Sequence, residues 1–393
     1  MIYRLLIPII VGTILPYLWL FKKFRSNLTG KQKYLFWLPA FLVIAYSVYL
    51  ACLPNFVPSN PILVDLWFGM MALFAVPQFV YTFCDVVGLG ICSLFHRRNR
   101  GGAIVGAWLS LIAFFVFIYG FTFGFRKMEV KQLTITVPDL PEAFDGYRIV
   151  QFSDIHLGSF NGWRHDIPQR DIQTINAQKA DMICFTGDLQ NAEPSELLPY
   201  KKLLSSLKAK DGVYSVLGNH DYSFYVSGSD AEKKAIEQKV QRFERSLGWN
   251  LLNNERKVIR RGNDSIYIAG TENYDRPKHT HVAKALYGIK PGNFVLMLQH
   301  IPTQWEQMMP SNINYFYGSK DTVLVAPQLT LSGHTHAGQV EILGLRPTMF
   351  AAYDYGLYER EGCQLYTTSG LGGVVPIRVG ATAEIVVITL RKK

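Results

Sequence analysis

The sequence predicts a chain of two parts, four apolar membrane-crossing helices followed by an α/β domain. Three observations predict it. Acidic residues become common only after Phe125, four long apolar stretches precede that point, and strand-like runs ending in metal-ligand residue types recur beyond it.

The composition shift sets the boundary. Of 393 residues, 49% are hydrophobic and 18% charged, an unusual balance for a soluble enzyme. Up to Phe125 the only acids are Asp65 and Asp85, whereas from Arg126 onward acids and bases alternate. A transmembrane region is therefore expected over 1–125 and a second domain over 126–393. The first part holds nine of the 40 Lys/Arg and two of the 30 Asp/Glu, so +7 of the net +10 lies there and +3 in the larger part. Most of the basic excess thus sits in short loops between spans. The second part shows no basic stripe interleaved with aromatics, so no nucleic-acid partner is expected. The cysteines, Cys52, Cys84, Cys92, Cys184 and Cys363, form no C-x-x-C pair. They read as small buried hydrophobes rather than a disulfide framework or zinc knuckle.

The apolar stretches run from Ile2 to Phe21, Tyr34 to Leu53, Ile62 to Phe95 and Ala103 to Phe125, each near the ~20 residues a spanning helix needs. The first lacks a small-residue cleavage site and reads as a retained helix rather than a signal peptide. The third is overlong and contains Pro77, which predicts a tilt or kink. Lys22, Lys23, Arg25, Lys31 and Lys33 lie between spans one and two, Arg97, Arg98 and Arg100 between three and four, and the connection Pro54–Pro61 is uncharged. The positive-inside rule then places both termini and the second domain outside the cytoplasm. Arg126, Lys127 and Lys131 after the last span oppose this and are outnumbered. Asp65 lies near a span end. Asp85 lies deeper and needs a partner or a wet cavity.

In the second domain, Tyr147–Phe152 leads into Asp154 and His156, and Asp181–Phe185 into Gly187-Asp188. Gly212–Leu217 leads into Gly218-Asn219-His220-Asp221, Phe294–Leu298 into His300, and Leu329–Leu331 into Gly333-His334-Thr335-His336. Each run has strand length and is rich in β-branched, aromatic or leucine residues. Helix-like segments, Ile167–Lys179, Ser195–Lys208 and Ala231–Leu247, lie between them. Alternating strands and helices put functional loops beyond the strand carboxyl ends, so five clusters would meet on one edge. One such cluster alone is common by chance. Gly218–Asp221 alone could be a turn. Five in this order are not.

That ordered series, Asp154-x-His156, Gly187-Asp188, Gly218-Asn219-His220-Asp221, His300 and Gly333-His334-x-His336, resembles the calcineurin-like metallophosphoesterase superfamily over about residues 133–390. Phe152–Gly158, Leu331–Gln339 and Gly370-Leu371-Gly372 to Pro376-Ile377-Arg378 are similar to its membrane-associated bacterial branch. Ala337 departs from the pattern, which has a second glycine there.

The resemblance implies a four-layer α/β/β/α sandwich holding two metals ~3.5–4 Å apart. It implies Asp154, His156 and His336 on the first metal, Asn219, His300 and His334 on the second, and Asp188 as the bridge. Carboxylate and imidazole ligands suit Mn, Fe or Zn better than Ca, and Mn is the first expectation. Hydrolysis of a phosphate ester needs a nucleophile, and a hydroxide bridging two metals supplies it because a bound cation brings the pKa of water near ~7. The Asn219 amide is expected to help clamp the phosphoryl oxygens, with His220 as general acid and Asp221 as its orienter. His165, near Asn161, Trp163 and Arg164, could touch substrate, while His279 and His281 read as surface residues and His96 as part of a basic loop. Gly370–Gly373 is expected to be a loop close to the metals, with Arg378 nearby.

The expected function is a metal-dependent phosphomonoesterase or phosphodiesterase integral to the bacterial cytoplasmic membrane, its catalytic domain outside the cytoplasm. A lipid or cell-envelope phosphate is the natural substrate class for an anchored site. One alternative is a non-catalytic membrane receptor or scaffold on the same fold. A second is a cytoplasm-facing pyrophosphatase of a nucleotide-linked lipid, which the predicted orientation disfavours. A transporter lacks convergent intramembrane charges.

Overall fold

The computed structural model describes residues 2–53, 60–95, 100–160, 162–319 and 323–393. Most of the uncharged connection (54–59), the loop with His96, Arg97 and Arg98, and Asn161 lie outside the described residues. The chain divides into two compact units, Met1–Phe123 and Gly124–Lys393.

In the first unit, four helical stretches are long and apolar enough to cross a membrane: Leu5–Asn27, Gly30–Ala51, Pro61–Leu94 and Gly101–Gly124. They are built from α1 (Ile2–Phe24), α2 (Gly30–Ala51), α3 (Pro61–Met70), α4 (Val76–Leu94) and α5 (Gly101–Tyr119). The overlong third stretch is interrupted, as Pro77 predicts. A π-helical turn, Met71–Ala75, joins α3 to α4, and Pro77 stands at the start of α4, where a missing N–H costs least. The Ser110 hydroxyl donates to the Pro77 carbonyl at 2.7 Å. Helices α4 and α5 touch through glycines: a Cβ on Gly88 would lie 2.5 Å from Gly102 Cα. Small residues at such crossings let helix backbones approach where lipid offers no hydrophobic drive. Asp85, 2% exposed, has the partner its depth requires. Lys23 Nζ lies 2.7 Å from its Oδ2 and Trp19 Nε1 donates to the same oxygen at 2.8 Å.

The second unit begins with β1 (Met128–Val137) and β2 (Arg148–Phe152), followed by α6 (Ile167–Ala177), β3 (Met182–Phe185), the single turn α7 (Lys201–Leu204) and β4 (Val213–Ser215). Next come α8 (Asp230–Ser246), β5 (Asn250–Leu251), β6 (Glu255–Arg261), β7 (Asp264–Gly270), β8 (Val295–Leu298) and β9 (Leu329–Ser332). Strands β10 (Gly356–Arg360), β11 (Cys363–Thr367) and β12 (Ala383–Lys392) close it. All five ligand-bearing runs are strands, divided between two mixed sheets. One has the order β1-β12-β2-β3-β4-β5, the other β10-β11-β9-β8-β7-β6. Ile149, Met182, Tyr214 and Val386 of the first sheet pack on Ile266, Ile268, Leu296 and Leu331 of the second. The outer face of the first sheet, through Val150, Phe152 and Ile183, packs on Ile172, Ile175, Val240 and Phe243 of α6 and α8. Ala269, Val295 and Met297 cover the outer face of the second against Val282, Leu286 and Met308. This is the expected α/β/β/α sandwich.

One helix is shorter than expected. Over 195–208 the chain forms 3₁₀ turns at Pro194–Glu196 and Leu198–Tyr200 and then only α7. Pro199 lacks the N–H a continuous helix would need there. Helix α8 matches its expected span because Ser229 and Glu232 cap its start reciprocally. All five cysteines are free thiols, with Cys184 and Cys363 buried.

Candidate metal centre

The loops after β2, β3, β4, β8 and β9 converge, three from one sheet and two from the other. They form two groups whose ligand atoms lie within 4.8 Å of one another: Asp154, His156 and His336, and Asp188, His300 and His334. Asn219 joins the second, its Oδ1 2.8 Å from His334 Nδ1 and 3.1 Å from His300 Nε2. Asp188 links the two. Its Oδ2 lies 3.1 Å from His300 Nε2 and 3.6 Å from His156 Nε2, while its Oδ1 accepts the His220 backbone N–H at 2.8 Å. All seven residues singled out as ligands by sequence are therefore brought together.

Backbone carbonyls set which ring nitrogens face inward. His156 Nδ1 lies 3.2 Å from the Gln190 carbonyl, and His300 Nδ1 lies 2.7 Å from that of Thr186. An Nδ1–H donated there leaves the Nε2 lone pair free for the site, the usual outer support of a ligating histidine. The backbone is strained to achieve this aim. Asp154 (φ 51°), His156 (53°), Asp188 (61°), His334 (78°) and His336 (53°) all occupy the left-handed region, at about 1–3 kcal/mol each where the environment compels it. Ala337 (φ 49°) does too, which explains the glycine expected there. Gly218 is fixed by close approach: a Cβ there would lie 2.2 Å from Asp188 Oδ1.

The electrostatics fit a pair of cations. Burial holds His156 and His334 down to about 3 and His336 well below the usual imidazole range, so these rings are neutral acceptors at physiological pH. Burial opposes protonation of His300 as well, yet the Asp188 charge overcomes it and raises the ring to about 9. Burial pushes Asp188 up, and the His300 and His220 charges more than reverse it, holding the carboxyl well below the usual range. Burial, with the Asp188 charge, raises Asp154 to about 6 despite the opposing His300. Several buried atoms also lack partners. Among the described residues His156 Nε2 and His336 Nδ1 make no hydrogen bond, and the nitrogens of His300 and His334 approach to 3.3 Å around one amide oxygen. Divalent cations would satisfy these converging lone pairs and neutralise the carboxylates, and the donor set of imidazole, carboxylate and amide oxygen suits them.

The neighbouring residues bring corrections. Asp221 does not orient His220. Its carboxylate accepts the backbone N–H groups of Asp188 (2.8 Å), Leu189 (2.9 Å), Gln190 (3.3 Å) and Gly218 (2.9 Å), pinning two ligand loops together. The Asn191 carbonyl, 2.6 Å from His220 Nδ1, is what orients that ring. The Asn219 Nδ2 donates one of its two N–H groups to the Tyr225 hydroxyl at 2.9 Å, which fixes the amide plane. Tyr225 also stacks on His220, with centroids 4.3 Å apart. Sequence offered no signal for Tyr225 or for these carbonyls, because their roles depend on position alone. His165, an exposed ring whose Nδ1 lies 2.8 Å from the Gly162 carbonyl, belongs to neither ligand group.

The glycine loop does come close. Leu371 and Gly372 donate their backbone N–H groups to the Ser153 and Asp154 carbonyls. Arg378, fully buried, holds that loop by donating to the carbonyls of Ser369, Gly370, Gly372 and Ala381. Beside Asn219 and His334 opens a cleft of about 700 Å³, further lined by Tyr225, Tyr274, Arg276, Lys278, Ile301 and Pro302 among others.

Residues 147–338 match the family model described as calcineurin-like phosphoesterase. A transmembrane protein with metallophosphoesterase domain from Danio rerio is 30% identical over 286 residues, covering 70% of this chain and 60% of that protein. An uncharacterized metallophosphoesterase of Campylobacter jejuni is 26% identical over 344 residues, 84% of this chain and 83% of its own. One of Bacillus subtilis is 28% identical over 277 residues, 68% of this chain and 86% of its own. The chain thus spans less than two thirds of the Danio rerio protein.

Proposed function

We propose, from the match of residues 147–338 to the calcineurin-like phosphoesterase model, that the chain is a membrane-anchored hydrolase of phosphomonoesters or phosphodiesters that uses two metals. Asp154, His156 and His336 would hold one cation, Asn219, His300 and His334 the other, with Asp188 placed next to both groups. When bound, the pair supplies charge neutralisation at phosphorus and an activated water. The observation that carries this reading is Asp188 Oδ2, which lies within 3.6 Å of imidazole nitrogens from both groups.

The chain's own residues do the rest. His220 holds Nδ1–H against the Asn191 carbonyl, so the proton for the leaving alkoxide comes from Nε2 of the imidazolium, a form that the ring must reach by taking up a proton against the burial that lowers its pKa. Tyr225 holds the His220 ring by stacking and the Asn219 amide by its hydroxyl, so that Oδ1 points at the second group. Asp221 keeps the loops after β3 and β4 in register. Arg276 and Lys278 draw an anionic substrate into the cleft. The basic loops at 22–33 and 97–100 support a catalytic domain outside the cytoplasm, and the anchor favours a lipid or envelope phosphate. Manganese is the proposed metal.

The test is hydrolysis of p-nitrophenyl phosphate and its bis-ester by purified protein with added manganese. Asp188→Ala should lower it about 10³-fold. Full activity in that variant would end the catalytic assignment and favour a receptor or scaffold.

A further inference from the structure

The cleft beside the ligand groups has an apolar projection at its mouth. Ile342 (52% exposed), Leu343 (98%), Leu345 (63%), Met349 (40%) and Phe350 (92%) place five large apolar side chains in solvent within nine positions. Scattered exposed apolar residues are ordinary, but a contiguous group marks a surface that is covered in use. The projection is built rather than loose. Ile342 and Leu345 exchange backbone hydrogen bonds at 3.0 Å, with Leu343 (φ 52°) and Gly344 (φ 79°) at the tip. Arg346 fastens its base through Glu341 at 3.1 Å and Asp354 at 3.0 Å. A leucine almost fully exposed in left-handed backbone gains nothing from packing or from conformational preference. Its apolar surface is what remains to explain it.

The same segment continues into the site. Thr348, Ala351 and Ala352 line the cleft together with Asn219 and His334. Arg276 and Lys278 line it too, both exposed. Among the described residues, Lys278 meets only the face of Tyr274 (5.4 Å) and Arg276 only Asp275 (3.9 Å). Apolar side chains beside weakly paired cations complement a bilayer with anionic headgroups. A lipid surface is within the chain's reach because the same chain carries four helices able to cross a membrane.

We propose that residues 342–350 are a membrane-inserting finger that seats the cleft on a lipid bilayer, so that the phosphate ester entering the site is one carried by a lipid. This rests on the phosphoesterase reading above. The finger dips its apolar tip into the interfacial layer while Arg276 and Lys278 meet lipid phosphates at the cleft. The ester then reaches the ligand groups without leaving the bilayer.

Two measurements on the full chain, reconstituted in phosphatidylethanolamine–phosphatidylglycerol vesicles containing phosphatidic acid, test this. Phe350→p-benzoylphenylalanine is irradiated and its adducts identified by mass spectrometry. A lipid adduct is expected. An adduct only to a second copy or to the chain's own helices, or no adduct, overturns the finger. The double variant Leu343→Glu with Phe350→Glu should cut turnover of vesicle-borne phosphatidic acid or phosphatidylglycerol about tenfold or more, since two large apolar side chains no longer insert. Its turnover of soluble bis(p-nitrophenyl) phosphate and its metal content should match the unaltered chain. Equal loss on both kinds of ester, or no loss on either, overturns the inference. If the unaltered chain cleaves the soluble ester but no vesicle lipid, the lipid substrate fails and the phosphoesterase reading stands. If it cleaves neither, the phosphoesterase reading fails.

Discussion

Two regions of this molecule bury carboxylates, and they treat them differently. In the membrane unit Asp85 is closed off by one ammonium and one indole N–H, both within 2.8 Å. In the second unit Asp154 and Asp188 lie among imidazoles whose lone pairs converge with theirs, and among the described residues His156 Nε2 and His336 Nδ1 make no hydrogen bond. A buried charge satisfied by its neighbours fixes a structure. A buried set that its neighbours leave incomplete, on strained backbone, is arranged for something that arrives from outside.

Substitutions can break this contrast. The largest effect is expected from Asp188→Ala. Losing the shared carboxylate should lower phosphoesterase turnover about 10³-fold, since charge stabilisation by the metal pair is worth several kcal/mol, and metal analysis should show lost occupancy. His220→Gln should cost about 10²-fold on an alkyl phosphate, and less on a p-nitrophenyl ester whose leaving group needs no proton. Its metal content should stay unchanged, which separates an acid from a ligand. In the membrane unit, Asp85→Ala should lower stability by about 2 kcal/mol, because Trp19 loses its acceptor while Lys23 keeps some access to water. Thermal unfolding in detergent measures it, and the specific activity of the folded protein should not move.

Smaller effects sharpen the comparison. His300 is raised to about 9 in the metal-free protein, so below that pH a metal must displace its proton. Metal affinity should therefore climb by up to about tenfold per pH unit toward pH 9 and then level, with proton release detectable by calorimetry in buffers of different ionisation enthalpy. The sign for stability is opposite. A folded pKa above the unfolded value stabilises the metal-free protein fully below about 6.5, and that contribution fades as pH rises through about 9. Smallest of all, Ala337→Gly should raise stability by up to about 1 kcal/mol, because relief of left-handed strain is partly offset by the entropy of an unfolded glycine. A fall in the unfolding temperature would count against strain at that position.

Most of the fold was legible because its signals are local. Apolar length marked the membrane helices, and Pro77 marked the break in the third stretch. The expected helix over 195–208 failed because Pro199 within it outweighed its helix-like pattern. The seven ligand types could be read because each follows a strand, where geometry forces side chains toward one edge. Asp221 was misassigned for a physical reason. A carboxylate beside a histidine in sequence suggests a pair, yet its four N–H partners come from loops whose approach no local pattern records.

The sequence by itself determined which residue types could ligate, in what order they occur and that a membrane region precedes them, since these follow from hydrophobic length and strand ends. Only the tertiary structure decided that Asp221 pins two ligand loops, that the Asn191 carbonyl and Tyr225 hold His220, and that 342–350 projects beside the cleft. Such facts depend on which atoms meet across hundreds of residues. The covalent order of the chain constrains those meetings only through packing.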